Sequence, residues 1–182
     1  SVNGAAVSTA ETDATGAFSF SDVTVSANQV LLLYVDGEAE DGSLVTKAAD
    51  DSTDITGLDL YTSKIALRYE TGSDLDNTDL DVIDAVDAGN EDGIAISGGN
   101  ATFADGFEVW VEDNYTYAPG GTVEADDFEV VGTATFNPAA NAVTISGDWK
   151  VGASATVTSS GTVTFDGGSK QTLTSGGTDA SH

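Results

Sequence analysis

The chain has 182 residues, enough to bury a core in one domain or two small ones. It holds no Cys and no Met, and its only His is His182, so thiol chemistry, cysteine zinc sites and imidazole acid/base work are excluded or confined to the last residue. Against 31 acidic residues stand 5 basic ones, a formal net charge of −26 that repels nucleic acid and anionic lipid and favours cations, cationic surfaces or concentrated salt.

Val, Ile, Leu, Phe, Trp and Tyr recur in alternating runs separated by Gly, Ser, Thr, Asn and Asp, an all-β profile. The longest apolar run, Val30 to Val35, has the length of a buried strand, so no membrane insertion is expected. A start at Ser1 with no signal peptide is what a chain already processed for export would show. From Val2 to about Leu60 the pattern is short strand, turn, short strand, which predicts a β-sandwich over residues 1–61 with Phe18, Phe20, Leu32 and Tyr34 inside.

Gly4, Ala5, Val7, Thr12, Asp13, Gly16, Phe18, Phe20 and Val35 carry a resemblance to the prealbumin-like or Ig-like modules of the carboxypeptidase-regulatory type. It covers about a third of the chain. The resemblance implies core phenylalanines, Asp-Gly turns and a structural role without an active site.

Residues 62–98 form an acidic connector. Asp74, Asp76, Asn77, Asp79 and Asp81 place oxygens at the two-residue spacing that suits a Ca²⁺ ion, a hard cation taking six to eight oxygen ligands. The loop lacks the sixth-position Gly and twelfth-position Glu of an EF-hand. A solvated acidic face, or a short helix over Asn77 to Val86 with Thr78 as a cap, accounts for the same residues. A smaller cluster, Asp36, Glu38, Glu40 and Asp41, reads as a polar hairpin loop.

Residues 99–182 repeat. Phe103, Val123, Val143 and Val163 fall 20 residues apart, and Thr102, Thr122, Ala142 and Thr162 march beside them. Val109, Val130 and Val151 form a second column, and Tyr117, Phe136 and Val157 a third. Such a period predicts either the coils of a β-solenoid or a meander of hairpins, with stacking of similar residues favouring the solenoid. The stretch Gly161 to Gly177, "GTVTFDGGSKQTLTSGG", is similar to the β-strand-repeat arrays of large bacterial surface proteins. That resemblance implies a cell-surface location and an architecture only; in such arrays further units usually follow, and this chain departs from the pattern in that no next rung is expected after Gly177.

Catalysis has little to work with. Exposed carboxylates pair by accident in so acidic a chain, and Lys47, Lys64, Lys150 and Lys170 lie in no S-x-x-K arrangement that would activate a serine. Trp110, Trp149, Tyr115 and Tyr117 offer either a sugar platform or rung-stacked core, and Asn100 and Asn114 head N-x-T sequons. The sequence therefore predicts an extracellular structural protein without enzymatic activity, a subunit or module of a surface fibre, tube or layer. Its partners are copies of itself or further modules of a larger surface protein. A binding module of an adhesin for sugar or protein stands second, and a carboxylate hydrolase third. Acid enrichment also fits a halophile.

Overall fold

A computed structural model describes residues 1–35, 41–70, 72, 74–84 and 92–176. Fifteen strands and one helix lie among them. The chain is all-β, and most of it winds into a β-solenoid of about 6 turns.

Three sheets form the sides. In the first, β1 (Val30–Tyr34) pairs antiparallel with β2 (Ser43–Lys47), after which β3 (Lys64–Leu67), β6 (Glu108–Val111), β9 (Asp127–Val130), β12 (Trp149–Val151) and β15 (Leu173–Ser175) follow in parallel. The second stacks β7 (Thr116–Tyr117), β10 (Thr135–Ala139) and β13 (Thr156–Ser159) in parallel. The third starts with β4 (Ile94–Ser97) antiparallel to β5 (Asn100–Phe103) and continues in parallel through β8 (Val123–Ala125), β11 (Val143–Ile145) and β14 (Val163–Phe165). Each coil thus visits the third, first and second sheets in turn.

Period-two alternation sets one apolar column inside each wall. Val123, Val143 and Val163 stand in register, as do Tyr117, Phe136 and Val157. The other expected columns shift. Val123 stacks on Ala101, 22 residues earlier, and Val130 stacks on Val111, so Phe103 and Val109 belong to neighbouring positions of the wall. The longer first coil turns its extra residues at Gly120 and Gly121, where a Cβ on Gly121 would collide with the Gly99 carbonyl of the coil beneath. Inside, Phe136 lies between Tyr117, at 5.7 Å, and Phe128, at 4.6 Å, and Phe128 stacks on Trp149 at 5.3 Å with the rings 17° from parallel.

Rungs are also joined by polar side chains at the corners. Asp113 accepts from the backbone N–H and hydroxyl of Thr133, Asn100 from the N–H of Thr122, Asp148 from that of Thr172, and Asp126 from the N–H of Gly106 and the hydroxyl of Ser146. Short Asp and Asn side chains at turns reach only local backbone groups, and here the nearest such groups belong to the next coil.

The sandwich expected over residues 1–61 is not confirmed. Among the described residues of this segment the strands are β1 and β2, which extend the solenoid's first sheet, and residues 6–29 contain no strand. Phe18, Val23, Val25, Ile55, Leu58 and Leu60 lie instead over the outer side of that sheet, against Leu31, Leu33, Leu44, Ala66 and Trp110. The alternation in "GAFSFSDVTV" marks which side chains face the sheet, but its backbone finds no partner strand. Leu32 is buried as expected, whereas Phe18 and Tyr34 are only half-buried and Phe20 is 37 % exposed.

Candidate functional site

The features that set this solenoid apart are its two ends. At the first, helix α1 (Asn77–Asp84) closes the core, with Leu80 and Ile83 fully buried against the interior of the coils. Asp76 caps it: one carboxylate oxygen accepts from the N–H of Thr78 at 2.7 Å and of Asp79 at 3.0 Å, while Asp79 accepts from the N–H of Asp76 at 3.1 Å. This is a capping box with Asp at both positions, in place of Ser or Thr and Glu. The cap is Asp76, two residues ahead of the Thr78 that the sequence suggested, because only the residue outside the helix can turn its side chain onto the free N–H groups. Asp79 also binds the Lys47 ammonium at 2.7 Å, with the two side chains 17 % and 7 % exposed.

The five residues expected to ligate calcium therefore lie around one helix start. Asn77 points inward: its amide donates to the carbonyls of Gly99 and Thr122 at 2.8 and 3.3 Å, and its side-chain oxygen accepts from the buried Tyr117 hydroxyl. Asp74 offers its backbone carbonyl to Lys47 at 3.1 Å, and the carboxylates of Asp74 and Asp81 are exposed. Among the described residues no group of three or more His, Cys, Asp or Glu is arranged around a common centre. Of the smaller cluster, Asp36, Glu38 and Glu40 lie outside the described residues, and Asp41 is exposed.

The outer edge of β1 is covered by residues 1–3: the Asn3 N–H donates to the Val30 carbonyl at 2.7 Å, the Val30 N–H donates to the Asn3 side-chain oxygen at 2.9 Å, and the N–H of Leu32 donates to the Ser1 carbonyl at 3.0 Å. The N–H of Ile96 in β4 donates to Asp84 at the end of α1 at 2.9 Å.

The opposite end is different. The last strands, β13, β14 and β15, are paired on one side each, and among the described residues none pairs with their outer edges. Val157, Val163 and Phe165 are half-buried where their equivalents one coil earlier are buried, and Leu173 is 61 % exposed. "GTVTFDGGSKQTLTSGG" does hold two strands, but they pair with β11 and β12 in separate sheets.

Charge is distributed to match. Lys47, Lys64, Arg68 and Lys150 are all held in ion pairs, Lys150 with Glu129 on the adjoining strand. Arg68 contacts Glu70 at 2.8 Å and Glu112 at 3.7 Å and lies over Tyr115. Burial pushes the Glu112 carboxyl above its ordinary value despite that cation. The aromatic residues form no exposed strip: Tyr117 and Trp149 belong to the core, and Trp110 is covered edge-on by Tyr61 at 4.8 Å. A shallow groove of about 310 Å³ runs over the outer side of the third sheet between Thr102, Asp105, Glu124, Thr144, Ser146 and Asp166. Of these residues the sequence pointed only to Thr102, as a member of a repeat column and not of a site, since outward Thr and Glu on alternate strand positions look like any solvated face.

No family model, curated protein or solved structure matches this chain.

Proposed function

We propose that this chain is a structural module of an extracellular surface fibre, tube or layer, extended by rungs added to the edges of β13, β14 and β15. The observation that carries the reading is the difference between the ends. One is closed by a capped helix and a paired edge; at the other, among the described residues, no strand pairs with the outer edges beside Val163, Phe165 and Leu173. A parallel rung is stable only with a neighbour to bury its inner face and pair its backbone, so such an edge is a template for another rung. The added rung comes from further modules of a larger surface protein or from another copy. The large acidic excess suits a chain in salty or cation-rich surroundings.

Calcium on the connector belongs to the same proposal. Asp74 and Asp81 keep exposed carboxylates, and the second oxygen of Asp76 lies outside the capping pattern.

Electron microscopy of the concentrated protein tests the structural reading. Filaments, layers or joined modules are expected. Monodisperse single modules that retain a sugar or a protein on an array would support the adhesin reading instead, which has the groove between Thr102 and Asp166 in its favour.

A further inference from the structure

The groove on the outer side of the third sheet selects a class of ligand by the spacing of its charges. We propose that it docks an extended basic segment of another protein, laid along the solenoid axis with lysine or arginine side chains on alternate positions. The groove runs along a lateral face, so docking there neither requires nor excludes extension by further rungs; it gives the adhesin reading a ligand.

Three carboxylates line the groove, those of Asp105, Glu124 and Asp166, with the hydroxyls of Thr102, Thr144 and Ser146 among them. Parallel register fixes the arrangement. Thr102, Glu124 and Thr144 occupy one outward column on successive strands, which Thr164 continues on β14. Asp105 and Asp166 stand at the corners that follow β5 and β14. Between them Asp126 is held by the framework, accepting from the Gly106 N–H of the coil before and from the Ser146 hydroxyl of the coil after. The side chains of Asp105, Glu124 and Asp166 are exposed and have no hydrogen-bond or ion-pair partner among the described residues.

Nothing within the groove neutralises them. From Arg68 to Lys150 the sequence holds no basic residue. Lys64, Arg68 and Lys150 answer acids on or beside the first sheet, and Lys47 holds Asp79. Carboxylates such as Asp13 and Asp50 differ in being satisfied by the N–H and hydroxyl groups of their own turns. A ligand that enters the groove therefore meets three uncompensated charges on a rigid wall, and complementarity of this kind sets both the rate of encounter and the choice of partner.

Spacing decides which cation fits. The three carboxylates are not gathered around a common centre, so one small ion does not satisfy them. They are spread over four coils, and at about 4.8 Å per rung Asp105 and Asp166 stand about 14 Å apart along the axis. In an extended peptide alternate side chains lie about 6.7 Å apart, so the first and fifth residues span about 13 Å. Cations at positions one, three and five then meet the three acids, and the flexible lysine stem absorbs the offset at Glu124. The Thr and Ser hydroxyls, each both donor and acceptor, suit the N–H and C=O groups of a peptide, which a simple polyamine lacks.

The probe is the end-blocked peptide Lys-Ser-Lys-Ser-Lys, titrated into the whole chain by calorimetry at about 0.15 M salt, where a Debye length of about 8 Å restricts the effect to nearby charges. Binding is expected, weakened at least fivefold by Glu124→Gln or Asp166→Asn and further by adding Asp105→Asn. These side chains are exposed, so the variants should keep the wild-type melting temperature. Asp51→Asn with Asp54→Asn, an equal loss of charge in the exposed stretch before Ile55, should leave affinity within twofold. Lys170→Gln, which removes a positive charge from the exposed corner that carries Asp166, should strengthen binding. Equal losses in the groove variants and the Asp51/Asp54 variant would overturn the site in favour of net charge alone. Equal affinity for Lys-Lys-Lys-Ser-Ser or for spermidine would overturn the extended peptide as occupant, and no binding would overturn the proposal outright. Each of these failures leaves the fibre reading standing, since electron microscopy decides it separately.

Discussion

Asp76 and Asp79 hold each other in place at the start of α1, each accepting a hydrogen bond from the other's backbone N–H. The pair fixes the helix that closes the first end of the core, and Asp79 at the same time neutralises Lys47. Asp76→Ala is therefore expected to cost about 1 kcal/mol, the usual effect of losing an N-cap. Asp79→Ala should cost more, about 3 kcal/mol, because it leaves a nearly buried ammonium without its carboxylate. Urea unfolding of both variants checks the order. The reverse ranking would mean that the contacts Lys47 keeps, the Asp74 carbonyl among them, hold the ammonium without Asp79.

Calcium is tested on the same pair. Binding to the folded connector should raise the melting temperature between chelator and millimolar calcium, by an amount that grows with free ion. Asp76→Ala combined with Asp79→Ala should abolish the rise. Identical melting temperatures in wild type with and without calcium would reduce these carboxylates to their capping and ion-pair roles.

Glu112 and Asp113 are neighbours in sequence with opposite electrostatics. Burial raises the Glu112 pKa above 4.5, and the hydrogen bonds from the Thr133 N–H and hydroxyl lower that of Asp113 below 3.8. For Glu112 the folded state holds its proton more tightly than the unfolded one. Its penalty is thus complete at neutral pH and is relieved as pH falls through the raised pKa. For Asp113 the stabilisation is present above 3.8 and is lost as pH falls through the depressed value. Carbon-detected NMR titration should show the two carboxyls moving apart. Asp113→Ala should bring the Thr133 amide into faster hydrogen exchange. Coincident titration of the pair would contradict the geometry of this corner.

The repeat was legible because side-chain alternation on a strand has a fixed period, and stacked coils repeat it: Val123, Val143 and Val163 occupy the column that their spacing predicts. Where the spacing changes, the prediction slips. Phe103 was placed in that column by counting 20 residues, but the coil from Ala101 to Val123 has 22, and the difference is absorbed at a glycine corner that has no apolar signature. The first 29 residues show the other limit. Alternation in "GAFSFSDVTV" reports that one side is covered, not that the backbone has a neighbour, and so a coat over Trp110 and Leu44 reads the same as a sandwich. The closed end was hidden for a related reason: Asp76 and Asp79 look like cation ligands until Leu80 and Ile83 are seen to plug the core.

Repulsion between unpaired carboxylates should make stability depend on salt. Four of the 5 basic residues are already engaged, so most of the −26 is uncompensated and acts against the compact state. Raising the ionic strength from about 0.01 M to 1 M shortens the Debye length from roughly 30 Å to 3 Å, and the melting temperature is expected to rise across that range. Differential scanning calorimetry in NaCl checks this, and a falling melting temperature would show that the ion pairs of Arg68 and Lys150 outweigh the global repulsion.

The core column of the second sheet gives the sharpest test of the solenoid itself. Phe136 is fully buried, in ring contact with Tyr117, Phe128 and Trp149 at 5.7, 4.6 and 6.0 Å, and belongs to one coil while two of these three neighbours lie in the coils on either side. Removing its ring takes away packing on both neighbouring rungs, and the parallel backbone ladders leave little room for collapse around the void. Phe136→Ala should therefore destabilise by about 4 kcal/mol, near the upper end for a buried aromatic, and should reduce the near-ultraviolet circular dichroism of Trp149. Val157→Ala, the next position of the column and half-buried on the last coil, should cost about 1 kcal/mol, since less of its surface leaves water on folding. If the two substitutions were equally damaging, the column would be closed over at its far end rather than open. If Phe136→Ala were mild, its ring would not bridge three coils, and the stacked register derived from Tyr117, Phe136 and Val157 would be wrong.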